Sequence, residues 1–312
     1  MVQITSFDEY VNILRSPYIN HPIELSVGFY GLCSYQPQAW DYVFYTIRQY
    51  YPDAPIVLIN DGMDQYDYRE MAEKYNCILL VKDREICLHY PEIEGSYEFL
   101  RRTMESCKLC NTEWMIHLHP DVICQGKICY YPNAHLAGVG CGSTNGISNN
   151  NWDNTWDKGL KRVENYIRQF YPNIELNGWG WCGGSIMNVE AFYKVYDSVF
   201  GEQAFIKLEE LRKNTWLNVT EHEDTMMSVL FALNGFVFRI WKDNPEHHRG
   251  ETMGAFLHGY KEHYDFKAQG LSVSDYYIKV RTQNIDKRLK NGLLDNHEYS
   301  KNNIDDKYIV TI

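Results

Sequence analysis

The sequence predicts an α/β domain: a mainly parallel β-sheet flanked by helices, with a helical tail at its C-terminal end. Three observations carry that prediction. Short apolar runs recur at residues 55–60 (PIVLIN), 77–81 (CILLV) and 113–118 (EWMIHL), with the length and composition of strands buried on both faces. Helix-like spacing fills the intervals between them, and strand–helix–strand alternation is how parallel strands are joined. No unit of about 20 to 50 residues repeats, which excludes solenoids and propellers.

Residues 24–30 (ELSVGFY) open the series as a short strand. Trp40 to Tyr50 has helical spacing and stops before Pro52, because proline has no N–H to continue the ladder. The run at 55–60 ends in Asp61-Gly62, a turn pair. Tyr68 to Tyr75 reads as the next helix, 77–81 as a strand, Tyr97 to Cys110 as a helix and 113–118 as the fourth strand. In such a sheet ligands gather at the carboxyl ends of the strands, so polar residues there are the first candidates for chemistry. Beyond His135 the pattern loosens. Residues 142–161 (GSTNGISNNNWDNTWDKGLK) have the polar, Asn- and Gly-rich composition of a long surface loop. WGWCGGSIM at 179–187 and EDTMMSVLFALNG at 223–235 resume folded structure, and the tail from Tyr276 onward is charged and helical.

Composition narrows the function. A balance of 30 Lys and Arg against 41 Asp and Glu gives a formal charge of −11, which argues against broad binding along a nucleic-acid backbone. The 25 tyrosines, with 8 Trp and 13 Phe, are amphipathic rings suited either to a core or to stacking on sugars and bases. Nine cysteines form no regular framework, and an odd number cannot pair fully within one chain, so reduced thiols are expected. Cys107 and Cys110 lack a second pair at zinc-like spacing. The first twenty residues show no basic start followed by an apolar run, and no stretch approaches the ~18 apolar residues of a membrane span. The expectation is a soluble, cytoplasmic protein, with a bacterial or viral setting left open.

Four constellations could carry chemistry. His117-Leu118-His119-Pro120-Asp121 follows an apolar strand, and a side chain pair at 119 and 121 can face a divalent cation at the sheet edge, although His and Asp are also ordinary turn residues. Glu221-His222-Glu223-Asp224 opens a helix, where acids complement the dipole and one could also act as a general base. In Leu257-His258-Gly259-Tyr260-Lys261 an imidazole could complete a metal site and an ammonium neutralise a phosphate. Trp179-Gly180-Trp181-Cys182-Gly183-Gly184 sets indoles beside bare backbone, which suits a sugar-sized ligand and equally a core turn.

In this order the motifs resemble the GT-A class of nucleotide-sugar glycosyltransferases over roughly residues 24 to 261. The resemblance implies a GT-A-like, Rossmann-type mixed sheet, with a catalytic domain at 1–265, a nucleotide-binding half at about 24–135, an acceptor half at about 136–265, and a helical extension at 266–312. The family's Asp-x-Asp metal motif matches His119-Pro120-Asp121, so Asp121 would coordinate Mn2+ or Mg2+ on the diphosphate of the donor. Histidine stands where the family has its first aspartate, which leaves His119 a lesser or altered role; an imidazole ligand favours Mn2+. His258 matches a late histidine that serves some members as a metal ligand, with Lys261 on the phosphates. The resemblance further implies that Asp61 contacts the nucleotide, that Phe29 or Tyr30 lines the base pocket, and that Arg102, or equally Arg101, lies near the nucleotide. Trp181, Gly183 and Gly184 would border the donor sugar and acceptor.

Asp224, with Glu223 beside it, matches the family's Glu-Asp motif, whose carboxylate is the catalytic base of inverting members. The expected activity is therefore transfer of a sugar from a nucleotide diphosphate donor, UDP-linked, to a hydroxyl on a glycan or other acceptor. The alternatives are a retaining transferase, a nucleotidyltransferase, and a non-catalytic carbohydrate-binding protein that keeps the fold. The Gly-rich basic loop that a nucleotidyltransferase needs after the first strand is missing from Phe29-Tyr30-Gly31-Leu32-Cys33.

Overall fold

A computed structural model describes residues 23–62, 66–83, 93–132, 134–138, 164–169, 171–173, 182–214, 223–241, 255–258 and 262–280. Its core is a seven-stranded sheet in the order β3-β2-β1-β4-β7-β6-β8. The first four, β1 (Val27–Cys33), β2 (Ile56–Asp61), β3 (Ile78–Lys82) and β4 (Trp114–Leu118), are all parallel. β7 (Ile186–Asn188) runs antiparallel to both β4 and β6 (Leu136–Gly138), and β8 (Phe238–Ile240) lies parallel to β6. The mixed, mainly parallel sheet flanked by helices is the expected class. β1 begins and ends three residues later than the expected 24–30, because its register with β2 carries pairing through Cys33 opposite Asn60.

Helices cover both faces. On one, α1 (Pro37–Tyr50) and α2 (Arg69–Lys74) pack over Phe29, Ile56, Leu58 and Ile116; on the other, α3 (Ile93–Cys110) covers Tyr30, Leu32, Val57 and Ile59. The strand period of two sorts neighbours such as Phe29 and Tyr30 into opposite cores, and burial on both faces explains why β1, β2 and β4 read as continuous apolar runs. α1 starts with Pro37, whose missing N–H costs nothing in a first turn. At its other end Arg48 donates to the carbonyls of Tyr51, Ala54 and Tyr75 at 3.0, 2.7 and 2.7 Å, tying the turn before β2 to the end of α2.

α4 (Val189–Phe200) was not visible as a helix in the sequence reading, although its signals are present. Asn188 Oδ1 accepts from the Ala191 N–H at 3.0 Å, a helix cap, and Val189, Phe192, Val195 and Val199 form the buried stripe. α5 (Leu208–Asn214) and α6 (Glu223–Leu233) complete that layer. A separate two-stranded ladder joins β5 (Ile123–Cys124) to β9 (Phe256–Leu257).

The described part of the C-terminal extension is helical, a 3-10 segment Glu262–Gln269 and then residues 273–280. Phe266, Tyr276 and Val280 pack with Tyr42 of α1 and with Ile123 and Leu257 of the small ladder. No disulfide joins the described cysteines Cys33, Cys77, Cys107, Cys110, Cys124, Cys129 and Cys182. No described helix is long and apolar enough to cross a membrane.

Candidate active site

β4 delivers the chain to the carboxyl edge of the sheet at Leu118, and the next four residues turn back, with the Val122 N–H donating to His119 O at 3.2 Å. The returning segment becomes β5, paired antiparallel to β9 with Ile123 opposite Leu257. One step along that ladder sets Val122 opposite His258, and so brings residue 258 beside Asp121. The His258 Nε2 lies 3.7 Å from Asp121 Oδ1. Ligating atoms of His119, Asp121 and His258 all lie within 4.8 Å of one another. Two imidazole nitrogens and a carboxylate oxygen, separated by more than 130 positions in the chain, thus converge at the strand end.

The residues fit a cation. Asp121 Oδ1 is buried and has no hydrogen-bond partner, an acceptor whose isolation costs about 1–3 kcal/mol unless something positive meets it. Bond lengths of about 2.0–2.2 Å put ligands around one ion roughly 3–4.4 Å apart, so the cluster needs only a small closure. The N2O donor set suits Mn2+ or another transition metal better than Mg2+, which prefers oxygen. Three protein ligands leave coordination positions for substrate.

The surroundings fix His119. Its ring meets that of His117 edge-on, centroids 4.7 Å apart, since both side chains leave the same face of the strand. His117 is itself stacked on Tyr30 at 4.8 Å and meets Phe99 edge-on at 5.7 Å. Burial, reinforced by the neighbouring imidazoles of His119 and His258, holds the His117 pKa well below its usual range, so it is neutral. Sequence reasoning quoted His117 without giving it a role; its place one strand period before His119 was the available signal.

The turn before β7 forms the wall behind this group. Gly184 adopts φ 83°, and its N–H donates to His117 O at 2.7 Å, while the His117 N–H donates to Ser185 O at 3.0 Å. A Cβ on Gly183 would stand 2.6 Å from His119 Cβ and 2.4 Å from Val122 Cγ2, so only glycine lets this turn reach the metal strand. Glu223, the first residue of α6, places Oε1 at 3.3 Å from His119 Nε2. Asp224 follows it in the helix.

Asp61 closes β2 and forms a buried ion pair with Arg102 of α3, their side chains 0% and 3% exposed. Arg101 instead faces outward and pairs with Glu98 and Glu94 at 2.5 and 3.4 Å. The helix therefore separates the two arginines that the sequence left equal. Phe29 and Tyr30 are fully buried: Phe29 packs against Tyr51 and Phe256, and the Tyr30 hydroxyl meets Thr103 Oγ1 at 3.3 Å. A central strand between two helical layers leaves neither ring a face for a nucleotide base. Burial first, then nearby charges including Glu223, push the Tyr30 phenol pKa up. Trp179, Trp181, Lys261 and the 142–161 segment lie outside the described residues.

No protein-family model and no curated protein matches the chain. Solved structures do. Mouse xyloside xylosyltransferase 1 in its apo form matches at TM-score 0.41 and 10% identity, over 76% of this chain and 98% of the other. Core-mannan synthase A (CmsA/Ktr4) from Aspergillus fumigatus, in an Mn/GDP form, matches at TM-score 0.38 and 12% identity, over 73% of this chain and 76% of the other. A cytidylyltransferase from Leptospira borgpetersenii serovar Hardjo-bovis matches at TM-score 0.36 and 10% identity, over 87% of this chain and 97% of the other. Likeness at this level carries neither donor, acceptor nor reaction over to this chain.

Proposed function

We propose that this protein is a metal-assisted glycosyltransferase that moves a sugar from a nucleotide diphosphate donor, UDP-linked, to an acceptor hydroxyl. The observation that carries the reading is the convergence of His119, Asp121 and His258 at the carboxyl end of a central parallel strand. A divalent cation bound there would supply positive charge to a leaving diphosphate. His119, Asp121 and His258 would hold that ion, and Lys261, three residues later than His258 in the sequence, would supply an ammonium for the phosphates. Asp61 and Arg102 brace the end of β2 on the nucleotide side. Gly183 and Gly184 would border the sugar, and Trp181, next to them in the sequence, would offer an indole for stacking.

The chemistry assigned to the chain is proton removal. An acceptor hydroxyl is a weak nucleophile at neutral pH, and Asp224 takes its proton as the new bond from oxygen to the anomeric carbon forms. The bond from that carbon to the phosphate oxygen breaks in the same step, its electrons leaving with the diphosphate, and the anomeric centre inverts.

A thermal-shift screen of nucleotide sugars with and without Mn2+ tests this directly. A ligand at about 100 times its Kd adds about 2.7 kcal/mol. With an unfolding entropy of about 2.1 cal/mol/K per residue over 312 residues, that raises Tm by about 4 °C. The stabilising donor should then be turned over in the presence of Mn2+, with the product anomer read by NMR, and Asp121→Ala should lose both responses. Silence to every nucleotide sugar would overturn the proposal.

A further inference from the structure

We infer that Glu223 is a positioning residue of the metal cluster, holding the imidazole of His119 in the orientation that faces Asp121 and His258. The inference rests on the metal reading above and departs from the motif-based expectation, which placed Glu223 with the catalytic base.

The ring of His119 is restrained from several sides, and each restraint comes from a different element. Gly183 packs beneath its Cβ and Cγ, and His117 meets it edge-on. His258 stands across from it at 6.1 Å between centroids. None of these contacts defines which way the nitrogens point. Glu223 supplies an acceptor beside one of them: its Oε1 lies 3.3 Å from Nε2, with the two side chains only 22% and 25% exposed. The carboxylate is in turn fixed from behind, because it opens α6 and the next turns of that helix sink Met226, Met227, Leu230 and Phe231 into the core. A neutral imidazole carries its proton on one nitrogen and its lone pair on the other, and an acceptor facing one nitrogen selects the tautomer. Carboxylates that orient ligating histidines in this way typically change metal affinity about 10–100-fold when removed. Histidine at 119, where the resembled family has an aspartate, creates the need: a carboxylate offers equivalent oxygens to a cation, whereas an imidazole must be turned correctly.

Two measurements test it. Binding of Mn2+ alone, followed by the EPR signal of the free ion, is compared for the wild type, Asp121→Ala, Glu223→Ala and Glu223→Gln, each checked for a cooperative thermal transition. Glu223→Ala should bind about 10–100-fold more weakly, Glu223→Gln should stay within about 10-fold of wild type because its amide oxygen still accepts, and Asp121→Ala should not bind. Independently of any metal, the side-chain 15N shifts of His119 should report a proton on Nε2 in the wild type and in Glu223→Gln, and a tautomer mixture in Glu223→Ala. Wild-type affinity together with unchanged His119 shifts in Glu223→Ala overturns the inference. A wild type that binds no Mn2+ overturns the metal reading instead, and the metal-free nitrogen spectrum still decides whether Glu223 sets the ring.

Discussion

Replacing Gly183 by alanine perturbs the site through packing alone, and its effect can be worked from distances. The added methyl would lie 2.4 Å from Val122 Cγ2, 2.6 Å from His119 Cβ and 2.9 Å from His119 Cγ. Ordinary carbon contacts begin near 3.4 Å, so the turn and the His119 backbone must separate by about 0.8 Å and the Val122 contact by about 1 Å. Neither can yield cheaply, because Gly184 and Ser185 are tied to His117 by two backbone hydrogen bonds of 2.7 and 3.0 Å. Overpacking of this kind costs about 1–3 kcal/mol. Spread over the unfolding entropy of 312 residues, that is a fall in Tm of about 2–5 °C. Because the strain lands on His119, Mn2+ affinity should also fall by at least about 10-fold. Calorimetry and Mn2+ titration of Gly183→Ala measure the two effects, with Gly126→Ala as the control, since a Cβ there meets nothing within 4 Å. Wild-type Tm and wild-type affinity in Gly183→Ala would refute the reasoning, because the turn would then have room to move without consequence.

Three further changes separate the roles of neighbouring groups. Asp121→Asn should abolish the rise in Tm produced by Mn2+, yet leave the metal-free protein as stable as wild type or up to about 1 kcal/mol more so, since it relieves a buried charge with no hydrogen-bond partner; a clear destabilisation of the metal-free variant would contradict that account. Arg102→Met should cost about 3–5 kcal/mol in urea unfolding by stranding the Asp61 carboxylate at 0% exposure, and the double variant with Asp61→Asn should recover most of the loss, whereas equal single and double variants would count against a stranded charge. Phe266→Ala should destabilise by about 3–5 kcal/mol and also weaken Mn2+ binding, because Phe266 packs with the Ile123 and Leu257 that carry the small ladder; stability lost at unchanged affinity would uncouple the extension from the site.

What could be read from the sequence follows from how far each signal reaches along the chain. Most of the parallel half of the sheet is legible because β1, β2 and β4 are buried on both faces, so each declares itself in five to seven consecutive residues; the edge strand β3 keeps an apolar run although Ile78 and Val81 are exposed. α4 escaped because its stripe, Val189 to Val199, begins within one residue of β7, and two periodicities abutting without a break blur each other. The tyrosine and phenylalanine of β1 were misread for a simpler reason: an aromatic pair on a central strand satisfies a core and a base pocket equally in one dimension, and only the second helical layer shows that no face remains for a ligand. Arg101 and Arg102 differ by one position, or about 100° around α3, and that rotation alone sends one to solvent and the other to Asp61.

The candidate metal group shows the limit most clearly. His119 and Asp121 could be nominated from a local motif, but nothing local joins them to His258. The join is made by β5 and β9, two residues each, too short to show any alternation. Their pairing is held from outside by Tyr42, Phe266 and Tyr276, so the geometry of the cluster depends on α1 and on the described part of the C-terminal extension, which lies outside the His119, Asp121 and His258 group. A site assembled this way can keep its chemistry while its sequence surroundings drift, provided the aromatic clamp survives. Disrupting the clamp should therefore loosen the metal ligands before it unfolds the sheet, and hydrogen exchange at Ile123 and Leu257 in Phe266→Ala, faster there than at Ile116 of β4, is the measurement that would show it.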